Sequence, residues 1–302
     1  MTLRLRSPDE IERTNPLRAR YVRMLIHAAT TGEPERPSPM DAGLVLCDAL
    51  AGRPICTPRL REKRENLVDA GGHRRPFYAG LICQAVAMAA RLELGVGRVD
   101  VAQTLLATLG ASNLFTGTAG ASETPGHACA TAWDQVARVS FGHLANEIED
   151  ATTDVIARRN HGSSAFSLLS RPMQPSGAFF PATSENPEPR WYHELVMLHA
   201  AATAAMVGEA AGDVMPKDAG KLVREAALFH HAETQPDHAT SQPWAIHAFL
   251  SDPEFTPTAD LMLLAAGVNQ PGSLDAVSRI LLADAAVCLS LPDPDRDPPG
   301  RG

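Results

Sequence analysis

Apolar residues along this chain recur three and four apart, and no segment keeps the strict alternation of a half-buried strand. That periodicity places apolar side chains on one face of an α-helix and scatters them around any strand. Alanine and leucine are abundant, and aromatic residues make up only 5% of the chain. Both facts favour helix over β-structure. The expectation is an all-α protein of stacked helical hairpins, an (α/α)-toroid or a solenoid-like bundle. The short apolar tags LHAAATAA, LLAAG and LLADAA suggest repeating helix pairs. Alanine-rich amphipathic helices produce the same tags without a repeat.

Punctuation by Gly and Pro sets the expected elements. Helices are predicted over Leu17–Ala29, Met40–Ala51, Arg59–Ala70, Pro76–Leu94, Asp100–Gly110 and His127–Arg159. Further helices are predicted over Trp191–Ala211, Lys217–Glu233, Gln242–Leu250, Thr258–Ala266 and Ser273–Leu291. Residues 111–126 and 160–190 read as long irregular connections. With 302 residues, 44% of them hydrophobic, the chain can bury a sizeable core. We expect a single helical domain over 1–291, with a boundary near 160–188 as the alternative, and a disordered proline-rich tail over 292–302.

Net charge is −8, and the only basic run is the short Arg59–Arg64 stretch. Nucleic-acid binding needs clustered cations to displace phosphate counterions, so that class is set aside. No run of about 18 apolar residues is evident, so no membrane span or membrane partner is expected. Cys47, Cys56, Cys83, Cys129 and Cys288 form no CxxC pair and are odd in number. Cys47, Cys83 and Cys288 sit inside apolar helical runs and read as small hydrophobes, and the set as a whole reads as a reducing, cytoplasmic compartment with no disulfide framework.

Six of the eleven histidines fall between His193 and His247, more than an even spread would place there. Glu194, Glu233 and Asp237 lie among them, as do Trp191, Tyr192 and Trp244. Spacing along the helices puts His193 and Glu194 near the start of one. It puts His230 and Glu233 together on the inner face of the next, and Trp244 with His247 on a third. Thr240 or Ser241 reads as the N-cap of that third helix, with Pro243 in its first turn. Asp237 and His238 fall in the turn before it. The functional reading makes His193, Glu194, His230, Glu233, Asp237 and His238 acid–base groups around a cleft. Trp191, Tyr192, His199, Trp244 and His247 would then bind the ligand. The same imidazoles and carboxylates suit a divalent metal such as zinc. The bland reading makes His199 a hydrogen-bonded core residue and the tryptophans core anchors. HExxH, an HD dyad, DDxxD, ExxH, GxGxxG, GxxxxGK[ST] and GxSxG are all absent.

Residues 187–200 (PEPRWYHELVMLHA) and 232–250 (AETQPDHATSQPWAIHAFL) resemble segments of uncharacterised bacterial all-helical proteins. More loosely, the residue types resemble those lining the cleft of (α/α)-toroid enzymes that act on polysaccharides. The likeness covers about the last 110 residues and carries no diagnostic motif. It implies an enzyme acting on a carbohydrate or similar polar substrate by hydrolysis or elimination. A zinc-like hydrolase and a non-enzymatic helical scaffold or interaction protein are the alternatives. The ligand would be a small molecule or a glycan, and oligomeric state is left open.

Overall fold

The computed structural model describes residues 5–32, 39–55, 77–111, 124–147, 167–181 and 187–292. These residues are mostly helical with no strand among them, so the protein is all-α. The expectations for Arg59–Ala70, for Cys56, for the end of the His127–Arg159 helix, for most of 111–126 and for the last ten residues fall outside the described residues.

The first helices begin where side chains satisfy their open N–H groups. In α1 (Pro8–Glu12), Ser7 and Glu10 form a reciprocal capping box. In α2 (Pro16–Thr30), Asn15 accepts from the Arg18 N–H and Pro16 fills the first turn. A 3₁₀ turn, Pro39–Leu44, leads into α3 (Val45–Leu50). Two longer helices follow, α4 (Phe77–Gly95) and α5 (Val99–Ala111), and then α6 (Pro125–Glu147). After a 3₁₀ turn at Ser167–Ser170 and an extended segment comes α7 (Pro187–Ala211). Helix α8 (Ala219–Phe229) runs directly into a π-helical turn, His230–Thr234, and the one-turn α9 (Pro236–Ala239). The chain closes with α10 (Ile246–Ser251), α11 (Thr256–Ala265) and α12 (Ala276–Ser290).

Helix α12 is the centre of the packing. Every residue from Ala276 to Ser290 is buried. A helix apolar on all sides is stable only when enclosed on all sides. Helices α2, α3, α4, α7 and α10 supply that enclosure. Two arginines fix α2 antiparallel to it. The Arg18 Nε donates to the Leu289 carbonyl at 2.7 Å, and the Arg279 Nε donates to the Ala29 carbonyl at 2.9 Å. Each also satisfies a carbonyl at a helix C-terminus.

Helices α4 and α6 make the most extensive pairing in the molecule. Gly80 permits it, because a Cβ there would lie 2.6 Å from the Trp133 Cβ and 2.8 Å from its carbonyl carbon. Helix α4 is long and apolar enough to cross a membrane by length and composition, contrary to the expectation from the sequence. Most of it is buried against other helices of the same core. One contiguous hydrophobic cluster runs from Ile11 to Leu291 and includes residues from both sides of 160–188.

Candidate functional site

The densest polar arrangement lies at the centre of this core. Helix α7 contributes His199 and Thr203, one turn apart. Helix α12 contributes Asp284 and Cys288, also one turn apart. Helix α4 contributes Gln84, and α10 contributes His247. All are essentially inaccessible to solvent, as are Trp133 and Trp244, which pack against the His199 ring at 5.2 and 5.6 Å between centroids.

The hydrogen bonds determine which groups carry protons. The backbone N–H of Ala245 can only donate, and it reaches His199 Nδ1 at 3.0 Å. That nitrogen is therefore the acceptor, and the ring proton sits on Nε2. The Nε2–H then donates to Asp284 Oδ2 at 3.1 Å. Thr203 donates its hydroxyl to the same oxygen at 3.1 Å. With its proton used, the Thr203 oxygen accepts from His247 Nε2 at 3.2 Å. Gln84 donates a long bond, 3.4 Å, to the other carboxylate oxygen. Asp284 thus meets the His199, Thr203 and Gln84 donors, with the weaker Cys288 thiol at 3.9 Å, in a solvent-inaccessible interior, the condition under which burying a carboxylate is tolerable. The chain of bonds leaves His247 Nδ1, Gln84 Oε1 and Trp133 Nε1 with no hydrogen-bond partner. Burial and the adjacent His199 both hold the His247 imidazole well below its usual range. Burial and the Asp284 charge push the Cys288 thiol up, which makes it a packing residue and a poor nucleophile.

Ala245 sits in the left-handed region, with φ +57°. That conformation costs an alanine about 1–2 kcal/mol. The bond from its N–H to His199 is what the surrounding core gains from it. The expected start of the third helix is corrected at this point. The helix does not start at Gln242 with Thr240 or Ser241 as its cap. It starts at Ile246, and Thr240 instead accepts from the Gln242 N–H at 3.0 Å. Gln242 in turn holds two aromatic groups, accepting from the Tyr192 hydroxyl at 3.2 Å and the Trp244 indole at 3.1 Å.

A second buried group fixes the segment before α7. The Glu194 carboxylate accepts the backbone N–H groups of Phe179 and Phe180 at 2.7 and 2.8 Å. Arg190, one turn earlier, lies 3.7 Å from it and donates to the Phe180 carbonyl at 2.9 Å. Burial raises the Glu194 carboxyl above its usual range, against the pull of the two amides and of Arg190 and Arg171. This is the geometry of a structural clamp, with both oxygens already occupied.

His230 is fully buried in the π turn, and its Nδ1 contacts the Thr234 hydroxyl at 2.7 Å. Burial, reinforced by the positive charge of Arg190, carries its pKa down from 6.5 to about 3. Its neighbours do not join it. Three-residue spacing predicts Glu233 facing inward with His230, but Glu233 is exposed. The extra residue of a π turn rotates the residues after it around the helix axis, which breaks the three-residue relation. His238 is 72% exposed and lies 3.6 Å from the half-buried Asp237, a contact that means little at the surface. His193 and Trp191 are half-buried; the His193 ring meets Phe77 and Tyr192 edge-on, and its carbonyl accepts from Cys129 Sγ.

Of the residues singled out from the sequence, the structure brings together Tyr192, His199, Trp244 and His247. It does not gather His193, Glu194, His230, Glu233, Asp237 and His238 around one point. Asp284, Thr203, Gln84 and Trp133 complete the central network and were not singled out. Asp284 is the lone carboxylate in the apolar run AVSRILLADAAVCLS, and Gln84 the lone amide in AGLICQAVAMAA. A polar residue inside an all-apolar helix is the signal that could have found them. Among the described residues, no group of three His, Cys, Asp or Glu side chains is disposed to hold a metal ion. Family models, curated proteins and solved structures yield no match to this chain.

Proposed function

We propose that this chain is a non-enzymatic helical scaffold or interaction protein, and that its central His–Asp–Thr network sets the register of the helices. One observation carries this reading. In His199 and Thr203, every strong donor and acceptor facing the network is already used by another protein group, and all of them are buried. A general base needs a free nitrogen within reach of a substrate proton. His199 has neither nitrogen free. A cleft enzyme acting on carbohydrate, or a zinc hydrolase, would need these groups to open onto a solvent-filled space. The finer arrangement we propose is a bundle of helical hairpins around α12, supported by the direct packing of α4 with α5, α7 with α8, and α10 with α11. Polar networks of this kind favour one register over slipped alternatives, because a slipped helix strands a buried carboxylate.

The test is chemical footprinting of the folded chain with diethyl pyrocarbonate, read residue by residue by mass spectrometry. His238 and His231 are modified first, while His199, His230 and His247 stay unmodified until the protein unfolds. Modification of His199 or His247 in the folded protein at the rate of His238 would mean that the centre opens to solvent, and the scaffold reading would fall.

A further inference from the structure

Away from the central network, a cleft of about 370 Å³ opens between the segment after the Ser167–Ser170 turn and the N-terminal half of α8. Its size falls within the range of small-molecule sites, roughly 300–1,000 Å³. Leu169, Met173 and Leu222 contribute apolar side chains to its lining. Arg171 stands on one wall, Lys217 and Lys221 on the other.

The charges here run against the rest of the molecule. The chain has 35 acidic residues to 27 lysines and arginines, yet the cleft has three cations to two acids, Asp218 and Glu225. Those acids do little to neutralise it. Among the described residues Glu225 pairs with Lys221 alone, at 3.6 Å and with both side chains about half exposed or more, so the pair is weak. Asp218 precedes α8 but makes no side-chain cap. Lys217 is exposed and makes no ion pair or hydrogen bond through its side chain among the described residues. The Arg171 guanidinium lies over the Phe180 ring, 5.4 Å from its centroid. Stacked there, it is oriented; it makes no side-chain hydrogen bond to a described residue, and its charge is shared with the buried Glu194 carboxylate.

The Arg171 wall is also held in place. Glu194 binds the Phe179 and Phe180 amides, and Gly177, with φ +87°, seats the turn so closely on α8 that a Cβ would lie 2.8 Å from the Glu225 carbonyl oxygen. A planar guanidinium and two ammonium groups lining one cleft match the oxygens of a phosphoryl dianion. The apolar side chains of Leu169, Met173 and Leu222 in the lining suit a carbon body attached to it.

We propose that this cleft binds a phosphoryl-bearing small organic molecule, with Arg171 and Lys217 holding the phosphoryl oxygens. The site shares no residue with the central network and goes beyond the scaffold reading. Calorimetric titration of the full chain with glycerol 3-phosphate, inorganic phosphate and acetate tests it. Glycerol 3-phosphate should bind more tightly than inorganic phosphate, and acetate should bind least. Arg171→Gln and Lys217→Gln should each weaken the ester about tenfold or more, and Lys217→Arg should retain it. Lys217 is exposed, so its substitution leaves the fold intact and keeps the test decisive. The proposal is overturned if neither phosphoryl probe binds at about 10 mM, if acetate binds as well as they do, or if Lys217→Gln leaves binding unchanged. Inorganic phosphate binding as tightly as the ester would overturn the organic part of the assignment.

Discussion

Acid should destabilise this protein more steeply than its surface charges alone imply, and His230 gives the clearest measure. Its imidazole is fully buried, with a pKa of about 3 in the folded state against 6.5 in an ordinary setting. Above 6.5 neither the folded nor the unfolded chain protonates it, and it has no influence on stability. Below 6.5 the unfolded chain takes up a proton that the folded chain refuses until about pH 3, so falling pH favours unfolding through that window. At about pH 5 the accumulated difference is about 2 kcal/mol, from 1.36 kcal/mol per pH unit over roughly one and a half units. Domains of this kind have a total stability of about 5–15 kcal/mol, so the effect is readily measured. His247 shifts in the same direction and steepens the loss. Glu194 acts in the opposite sense: its raised carboxyl favours the folded state at low pH, and that contribution is lost as pH rises through its folded value. The assay is urea unfolding followed by far-ultraviolet circular dichroism at about pH 8 and about pH 5, for the native sequence and for His230→Gln. The variant should lose about 2 kcal/mol less between the two. An identical loss in both proteins would refute the linkage, because the buried imidazole would then not be the group that takes up the proton.

Two further substitutions probe the packing. Asp284→Asn replaces the carboxylate that accepts from His199, Thr203 and Gln84 with an amide that can accept at only one atom, and should cost about 3–5 kcal/mol in urea unfolding; a cost below about 1 kcal/mol would show that the network is not what holds α7, α10 and α12 together. Gly80→Ala gains about 1 kcal/mol of helix propensity but drives a Cβ into the Trp133 backbone. It should lower Tm with a net cost of about 1–3 kcal/mol, and an unchanged or raised Tm in a thermal melt would mean that α4 and α6 can separate freely.

The all-helical class was legible because it rests on local periodicity, which any stretch of ten to twenty residues carries within itself. The start of α2 lies one residue from the expected Leu17, because Asn15 and Pro16 act on the first turn beside them; α12 starts at Ala276 behind its Asp275 cap, three residues later than the expected Ser273. Burial of Cys47, Cys83 and Cys288 followed from the apolar runs around them. The site was only partly legible. Tyr192, His199, Trp244 and His247 were marked out by type and spacing, but their role depended on Asp284, which lies 85 positions from His199. Helical spacing assumed an unbroken turn at His230–Glu233 and a helix from Gln242. A π turn and a left-handed Ala245 replaced them. Both departures cost local free energy and persist because the core holds them in place, in the second case through a bond to a ring on another helix. Sequence alone therefore determined the all-helical class and the approximate place of the long helices, since those choices are made within a few turns. Only the assembled bundle decided which polar groups meet, because each of those bonds joins residues brought together by folding.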